Sequence, residues 1–137
     1  MFDRRLLALA LWIGTMPLVA QEGFPPFTTD FPPEEFAARR AKVYEAIGDQ
    51  AFAVIQGAPS QPGYRRFRQS NEFYYLCGVE VPHAYLLLDG ATKKAALYLP
   101  HRNPGREKGE GRMLSPEDAE EIQKLSGVDS VVIGLNV

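Results

Sequence analysis

The chain changes from helical to strand-like spacing of its apolar residues after about fifty positions. Between Glu34 and Ile47 the apolar residues recur every three or four positions, which predicts a helix. Pro33 suits the first turn of this helix, and Gly48 suits its end. The residues at helical spacing are Phe36, Arg40, Val43, Tyr44 and Ile47, and Arg39, Lys42 and Glu45 fall on the other side. We expect the basic residues to form a solvated surface rather than a binding patch: Arg39, Arg40 and Lys42.

Three short apolar runs then predict strands, over Ala51–Gln56, Tyr85–Leu88 and Ala95–Leu99. The first run is apolar at nearly every position, which is typical of a strand that is buried on both faces. Asp89-Gly90 is a turn signal between the other two runs, so we expect these two strands to pair as a hairpin.

The last third of the chain predicts a loop, a helix and a strand. Residues 100–114 are polar and rich in glycine, and we expect an exposed loop. Ser115 and Asp118 have the spacing of a capping box, which predicts a helix that runs to Ser126. Val128–Ile133 then predicts a further strand. Strands separated by helices, with one hairpin, indicate a mixed β-sheet of the α/β class that is flanked by helices.

The first twenty residues have the pattern of a secretory signal peptide. Arg4 and Arg5 precede an apolar run, and Ala20 is the natural cleavage position. The apolar run is too short to span a bilayer comfortably, so no stable membrane span is expected. We therefore expect export, with residues 21–33 as a lead-in rich in Pro and Phe whose phenylalanines dock on an apolar surface. A buried N-terminal helix and an uncleaved anchor remain the alternatives.

Composition narrows the classes of function. Hydrophobic residues make up 45% and charged residues 23% of the 137 positions, which is typical of one globular domain. The net charge of −2 gives no general attraction to nucleic acid or to anionic membranes. Cys77 is the single cysteine, so the chain has no internal disulfide framework. Its apolar neighbours predict a buried thiol rather than a nucleophile.

The sequence contains no recognisable catalytic constellation. It lacks the motifs of serine hydrolases, of zinc peptidases and of phosphate loops. His83 and His101 each follow a proline, and neither has an obvious orienting partner. We therefore assign no catalytic residue and no metal ligand to this chain.

The densest cluster of aromatic residues is Phe67–Gly78. In isolation this stretch predicts a loop followed by a strand, with Phe73 and Tyr75 on one face and Tyr74 on the other. It is either a sheet strand with tyrosine hydroxyls at its rim or a recognition surface, because Arg, Tyr and Phe are common at interfaces.

At this cluster the chain resembles the N-terminal domain of aminopeptidase P, the Xaa-Pro aminopeptidase branch of the creatinase/prolidase superfamily. The resemblance rests first on Arg68-Gln69, followed after polar residues by Phe73-Tyr74-Tyr75-Leu76 and Gly78. It extends over about residues 31–135 through these further matches: Arg39-Arg40, Ala53-Val54-Ile55, Glu80 with Pro82, Asp89-Gly90, Leu99-Pro100 with Arg102, and Gly109-Glu110-Gly111-Arg112. Cys77 departs from the Thr that is more common in the family, and the family's tryptophan-containing loop has no tryptophan here.

The resemblance implies that residues 34–137 form an accessory domain with a ribonuclease-H-like sheet. In the family, a separate C-terminal domain with a pita-bread fold binds two metal ions, typically manganese, through motifs that this chain lacks. The N-terminal domain builds the homo-oligomer and helps to wall the peptide-binding site. By motif position, Tyr74 is expected near that site, and Arg68 is the expected ionic partner. Arg68 could instead bond a carboxylate or loop carbonyls in a structural role.

Two hypotheses about function follow. The chain is either the accessory domain of an exported Xaa-Pro aminopeptidase, with the catalytic domain supplied in cis or in trans, or a stand-alone exported binding or assembly module. They differ in whether this chain works together with sequence that carries the metal ligands. In both cases we expect the isolated chain to be inactive.

Overall fold

The fold is a four-stranded mixed sheet with helices packed on it, as the sequence pattern predicts. A computed structural model describes residues 27, 29–63 and 66–134. The strands are β1 (Phe52–Gln56), β2 (Tyr85–Asp89), β3 (Lys94–Leu99) and β4 (Ser130–Ile133). The helices are α1 (Pro33–Ile47), α2 (Asn71–Cys77), α3 (Pro104–Glu110) and α4 (Ala119–Ser126), and a 3₁₀ turn, Pro116–Asp118, precedes α4.

The strand order in the sheet is β1-β2-β3-β4. The first three strands form an antiparallel meander, and β4 lies parallel to β3 because α4 carries the chain back across the sheet. The predicted hairpin is confirmed, with Leu87 opposite Ala96. The Asp89 carboxylate accepts hydrogen bonds from the turn, including one of 2.7 Å from the Thr92 hydroxyl.

The core lies between one face of the sheet and the helices. Leu86, Leu88, Leu97 and Leu99 point from β2 and β3 into this layer and are inaccessible to solvent. Phe36 from α1, Phe73 from α2 and Ile122 from α4 fill it from the helical side. Phe27 is also buried, with its ring edge-on to Phe36, and the partly exposed Phe31 lies edge-on to the same ring.

The prediction that β1 is buried on both faces is wrong. Ala53 and Ile55 pack against the core, but Phe52 and Val54 are 69% and 58% exposed. β1 is an edge strand of a sheet with helices on one face, and an apolar run of five residues cannot reveal that position.

The prediction of a strand through the aromatic cluster is also wrong, because Asn71–Cys77 forms helix α2. Phe73, Leu76 and Cys77 are its buried residues, and their spacing is that of one helical face. Gly78 ends the helix in the left-handed conformation with φ of 70°. A side chain at that position would meet the Phe36 and Phe27 rings, so the glycine also allows close packing.

Within the predicted loop 100–114, residues Pro104–Glu110 form helix α3. Asn103 caps it by accepting a hydrogen bond from the Arg106 amide, and Pro104 occupies its first turn. An Arg106–Glu110 ion pair of 2.8 Å spans one turn. The Asn103 cap and Pro104 are local signals for a helix, but Gly105, Gly109 and Gly111 in the same stretch favour a loop. The capping box of Ser115 and Asp118 is confirmed.

Arg39 and Arg40 are buried, and the prediction of a solvated basic surface is wrong for both, whereas Lys42 is exposed. The Arg39 guanidinium lies 4.4 Å from the ring centroids of both Phe31 and Tyr75. The Arg40 guanidinium donates to three carbonyl oxygens, those of Leu76 (2.9 Å), Ser126 (3.0 Å) and Gly127 (2.6 Å). The arginine pair therefore joins α1 to the ends of α2 and α4.

Candidate functional site

The two residues singled out by sequence lie on adjoining segments at α2. Arg68 belongs to the loop that leads into the helix, and its side chain is 65% exposed. Tyr74 lies inside α2 and is half-buried. A role in substrate binding stays a prediction for both residues.

Arg68 forms an ion pair with Glu80, with Nη1 and Oε1 3.5 Å apart. This is the structural role that the sequence left open for Arg68. The other carboxylate oxygen of Glu80 is shielded from solvent and has no hydrogen-bond partner among the described residues. A buried acceptor without a donor is uncommon, which makes this carboxylate available to a further donor.

Gln69 holds this loop in place. Its side-chain amide donates to the Val81 carbonyl at 2.9 Å, and its amide oxygen accepts from the backbone amides of Ala58 and Ser70. A side chain at Gly57 would meet the same Gln69 amide group at 2.9 Å, so that amide would have to shift to admit it. Gln69 thus positions Arg68 and the start of α2 relative to the end of β1.

A second polar region is a cleft of about 450 Å³ between Pro82-His83 and the segment around α3. His83 has a left-handed backbone with φ of 60°, which is uncommon for a residue other than glycine. Its Nε2 lies 3.2 Å from both the amide nitrogen and the hydroxyl of Ser60, and Arg106 donates to that hydroxyl at 3.0 Å. The sequence did not predict this cleft, because its residues come from three separate segments.

The Asp118 carboxylate beside this cleft accepts hydrogen bonds from two arginines, Arg102 and Arg112. Burial by itself raises the pKa of this carboxyl, but hydrogen bonds from Arg112, Ser115 and Arg102 outweigh that effect and lower the pKa to about 2. Arg102 and Arg112 donate to it at 2.8–2.9 Å. Each arginine also has a second carboxylate nearby, Glu107 for Arg102 (3.8 Å) and Glu121 for Arg112 (2.7 Å), and the arrangement is that of a structural network.

The third candidate region is the sheet face turned away from the helices. We call it the open sheet face. By strand register it carries the apolar residues Phe52, Val54, Leu87, Ala96 and Val132 and also Gln56, Tyr85, Asp89, Lys94, Tyr98 and Ser130. These side chains are partly or largely exposed, and the apolar ones lie in a central row flanked by polar residues. The sequence pattern did not predict this surface, because alternation is masked where both faces of a strand are apolar.

The described residues offer no site for a metal ion. Over residues 27, 29–63 and 66–134, no group of three or more His, Cys, Asp or Glu side chains converges as metal ligands would. None of the helices in these ranges has both the length and the apolar content needed to cross a bilayer.

Comparison with known proteins places these features in context. The model of the family described as "Aminopeptidase P, N-terminal domain" matches residues 36–132. Intermediate cleaving peptidase 55 of Schizosaccharomyces pombe is 33% identical over 106 residues, which cover 72% of this chain and 21% of that protein. A probable Xaa-Pro aminopeptidase of Pyricularia oryzae is 36% identical over 86 residues, 56% of this chain and 16% of that protein.

Solved structures agree with the sequence comparison. Aminopeptidase P from Escherichia coli in its low-pH form superposes with a TM-score of 0.64 and 29% identity, over 76% of this chain and 24% of that one. The same enzyme with the inhibitor Pro-Leu gives a TM-score of 0.63 at 25% identity. The chain thus spans 21% and 16% of the length of these two curated relatives and about a quarter of the solved ones.

Proposed function

We propose that this chain, which belongs to the family of aminopeptidase P N-terminal domains, is the accessory domain of an Xaa-Pro aminopeptidase-like metallopeptidase. The observation that carries the proposal is the family match over residues 36–132, which takes in nearly all of the described fold. The relatives named as Xaa-Pro aminopeptidases extend far beyond the matched region, which supports a larger catalytic part that works with this domain in cis or in trans.

The reaction proposed for the whole assembly is release of an N-terminal residue that precedes proline. Manganese bound by the catalytic domain would activate the attacking water. Because the described residues provide no converging set of metal ligands, we assign no step of the hydrolysis to them. Their part is to shape the peptide-binding site from outside and to build contacts between subunits.

Arg68 and Tyr74 are the residues proposed to face the peptide. Arg68 is largely exposed and rigidly placed by its neighbour Gln69, and Tyr74 follows six residues later on α2. A guanidinium suits a carboxylate, and a tyrosine ring suits an apolar side chain such as that of proline. The ion pair with Glu80 keeps Arg68 oriented without burying it.

Export is proposed from the sequence of residues 1–20, which lie outside the described part of the chain. The support is the basic start, the apolar run and the small residue at Ala20. Export would place the peptidase in the periplasm or outside the cell.

The proposal is tested by assaying the purified chain on an Xaa-Pro peptide with manganese, alone and together with a larger polypeptide. The larger polypeptide is Escherichia coli aminopeptidase P without the quarter that this chain matches. We expect no turnover by either part alone and measurable turnover by the two together. Turnover by the pure chain would contradict an accessory role, and no turnover by the mixture would favour the stand-alone binding module.

A further inference from the structure

Ser60 and His83 form a hydroxyl–imidazole pair beside the cleft around α3. Ser60 lies in the loop that follows β1, and its Oγ is 3.2 Å from Nε2 of His83. This distance is within the range in which a histidine can take the proton of a serine nucleophile. The two residues are 23 positions apart in the sequence, so the pair exists only in the folded chain.

The hydrogen bonds around His83 define which of its nitrogens can act as a base. The Ser60 backbone amide donates to Nε2 at 3.2 Å, so Nε2 carries no proton and the ring proton is on Nδ1. The Arg106 guanidinium donates to Ser60 Oγ at 3.0 Å. Because that bond uses a lone pair of Oγ, the hydroxyl hydrogen is left to point at Nε2. The imidazole is therefore in the form that a general base needs.

The backbone of His83 is held in a conformation that costs free energy. Its φ of 60° is left-handed, which is uncommon for a residue other than glycine. Its amide donates to the Ala58 carbonyl at 3.0 Å, so the residue is joined to the Ser60 loop by its backbone as well as by its ring. Backbone strain of this kind persists where the surrounding contacts define it, and it is concentrated at reactive and ligand-binding sites.

The cleft beside the pair has room for a small uncharged molecule. It encloses about 450 Å³, and both His83 and Arg106 are among its lining residues. The lining also includes the apolar side chains of Pro82 and Met113. Arg106 is paired with Glu110 at 2.8 Å, which compensates its charge. A concave, partly apolar surface with a few convergent polar groups is typical of a small-molecule site.

We propose that Ser60 is a nucleophile that is acylated by small activated esters, with His83 as its general base. Ser60 Oγ attacks the ester carbonyl carbon and forms a bond to it, while the hydroxyl proton moves to Nε2 of His83. The tetrahedral intermediate then loses the alcohol part of the ester, which leaves with the proton from Nε2, and the acyl group stays on Ser60. The Arg106 guanidinium beside Oγ stabilises the negative charge that develops. This activity goes beyond the proposed accessory role and involves no metal ion.

The test is acetylation of the purified chain by p-nitrophenyl acetate in a buffer that contains EDTA. Mass spectrometry of peptides locates the acetyl groups, and hydroxylamine distinguishes serine esters, which it cleaves, from lysine amides, which it leaves intact. We expect Ser60 to be acetylated at least about tenfold faster than Ser130, which is half-buried like Ser60 and serves as the internal reference. Urea should abolish the difference, because it separates Ser60 from His83.

Two substitutions assign the roles within the pair. Ser60→Ala should remove the ester at this position and leave the acetylation of lysines unchanged. His83→Asn should slow the acetylation of Ser60 at least about tenfold, because asparagine tolerates the left-handed backbone but is not a base. His101→Asn is the matched control, with an expected unchanged rate, because His101 is exposed and pairs with Glu117. Far-UV circular dichroism checks that each variant is folded.

The outcomes bear on the pair and not on the proposed function. Acetylation of Ser60 only as fast as Ser130, or an unchanged rate in folded His83→Asn, would overturn the inference. If His83→Asn does not fold, the comparison of the folded and urea-unfolded unmodified chain decides in its place. The accessory role is tested separately, by turnover of an Xaa-Pro peptide with manganese and the larger polypeptide, so either proposal can fail without the other.

Discussion

At the scale of single residues, Arg40 shows how a charged side chain can be part of a core. It is 3% exposed, and its donors are aimed at carbonyl groups at the ends of α2 and α4. Helix C-termini carry partial negative charge and unpaired carbonyls, so a guanidinium satisfies both at once. Burial lowers the pKa of Arg40, but a guanidinium remains protonated at any ordinary pH.

We predict that Arg40→Met lowers the free energy of unfolding by about 3 kcal/mol or more. The variant keeps the apolar stem but leaves three inward-facing carbonyl oxygens without their donor. Urea unfolding followed by circular dichroism measures the change. Lys42→Met on the exposed side of α1 is the control, with an expected change within about 0.5 kcal/mol. Similar effects of the two substitutions would show that the Arg40 contacts contribute little.

At the scale of elements, glycines decide how closely the connections pack. Gly90 in the β2–β3 turn lies against the connection between α1 and β1, and its amide donates to the Ala51 carbonyl at 2.9 Å. A side chain at Gly90 would overlap the Gly48 carbonyl oxygen. Gly109 in α3 instead has open space around it.

We predict opposite effects for the two alanine substitutions. Gly90→Ala should destabilise the fold by about 2 kcal/mol or more, because rigid backbone atoms must move. Gly109→Ala should be neutral or stabilise it by up to about 1 kcal/mol, since alanine favours a helix. Thermal unfolding of both variants checks the prediction. A stable Gly90→Ala protein would mean that the turn and the connection do not lie in contact in solution.

Helix α2 is the element whose type the sequence pattern predicted wrongly, as a strand. Its seven residues include three aromatics, and short aromatic stretches favour strands by propensity alone. The positions of Phe73, Leu76 and Cys77 also fit a helical face, and the choice is made by the pocket that receives them beneath α1. Local propensity differences are smaller than the free energy of burying Phe73 and Leu76 in that pocket.

At the scale of the whole molecule, one core holds the sheet and the helices together, and Cys77 lies inside it. Its thiol is inaccessible and donates weakly to the Phe73 carbonyl at 3.3 Å. Burial raises the pKa of the thiol to about 12, although a backbone hydrogen bond and the nearby Arg40 act in the opposite direction. This confirms the prediction that Cys77 is buried, and its low reactivity stays a prediction.

We predict that Cys77 reacts with Ellman's reagent only after the fold opens. At pH 8 the folded thiol is protonated and shielded, because this pH lies far below its pKa of about 12. In urea the pKa of Cys77 returns toward about 8.5, and the thiol should react with Ellman's reagent as fast as an exposed thiol does. Absorbance at 412 nm follows the reaction, with glutathione as the rate reference. Native labelling as fast as labelling in urea would place Cys77 at a mobile or open surface.

The sequence by itself determined the features that depend on residues close together in the chain. The spacing of apolar residues in α1, the Asp89-Gly90 turn and the Ser115–Asp118 capping box each work within a few positions. The motif around Arg68-Gln69 and the tyrosines also sufficed to identify the family, which the match over residues 36–132 confirms.

Only the tertiary structure decided which surfaces are covered. Arg40 is buried because two helix ends, more than thirty and eighty residues away in sequence, meet at its guanidinium. Phe52 and Val54 are exposed because β1 is an edge strand and all of the core packing lies on the other side of the sheet. Burial is a property of long-range packing, and an apolar run carries the same local signal whether one of its faces or both are covered.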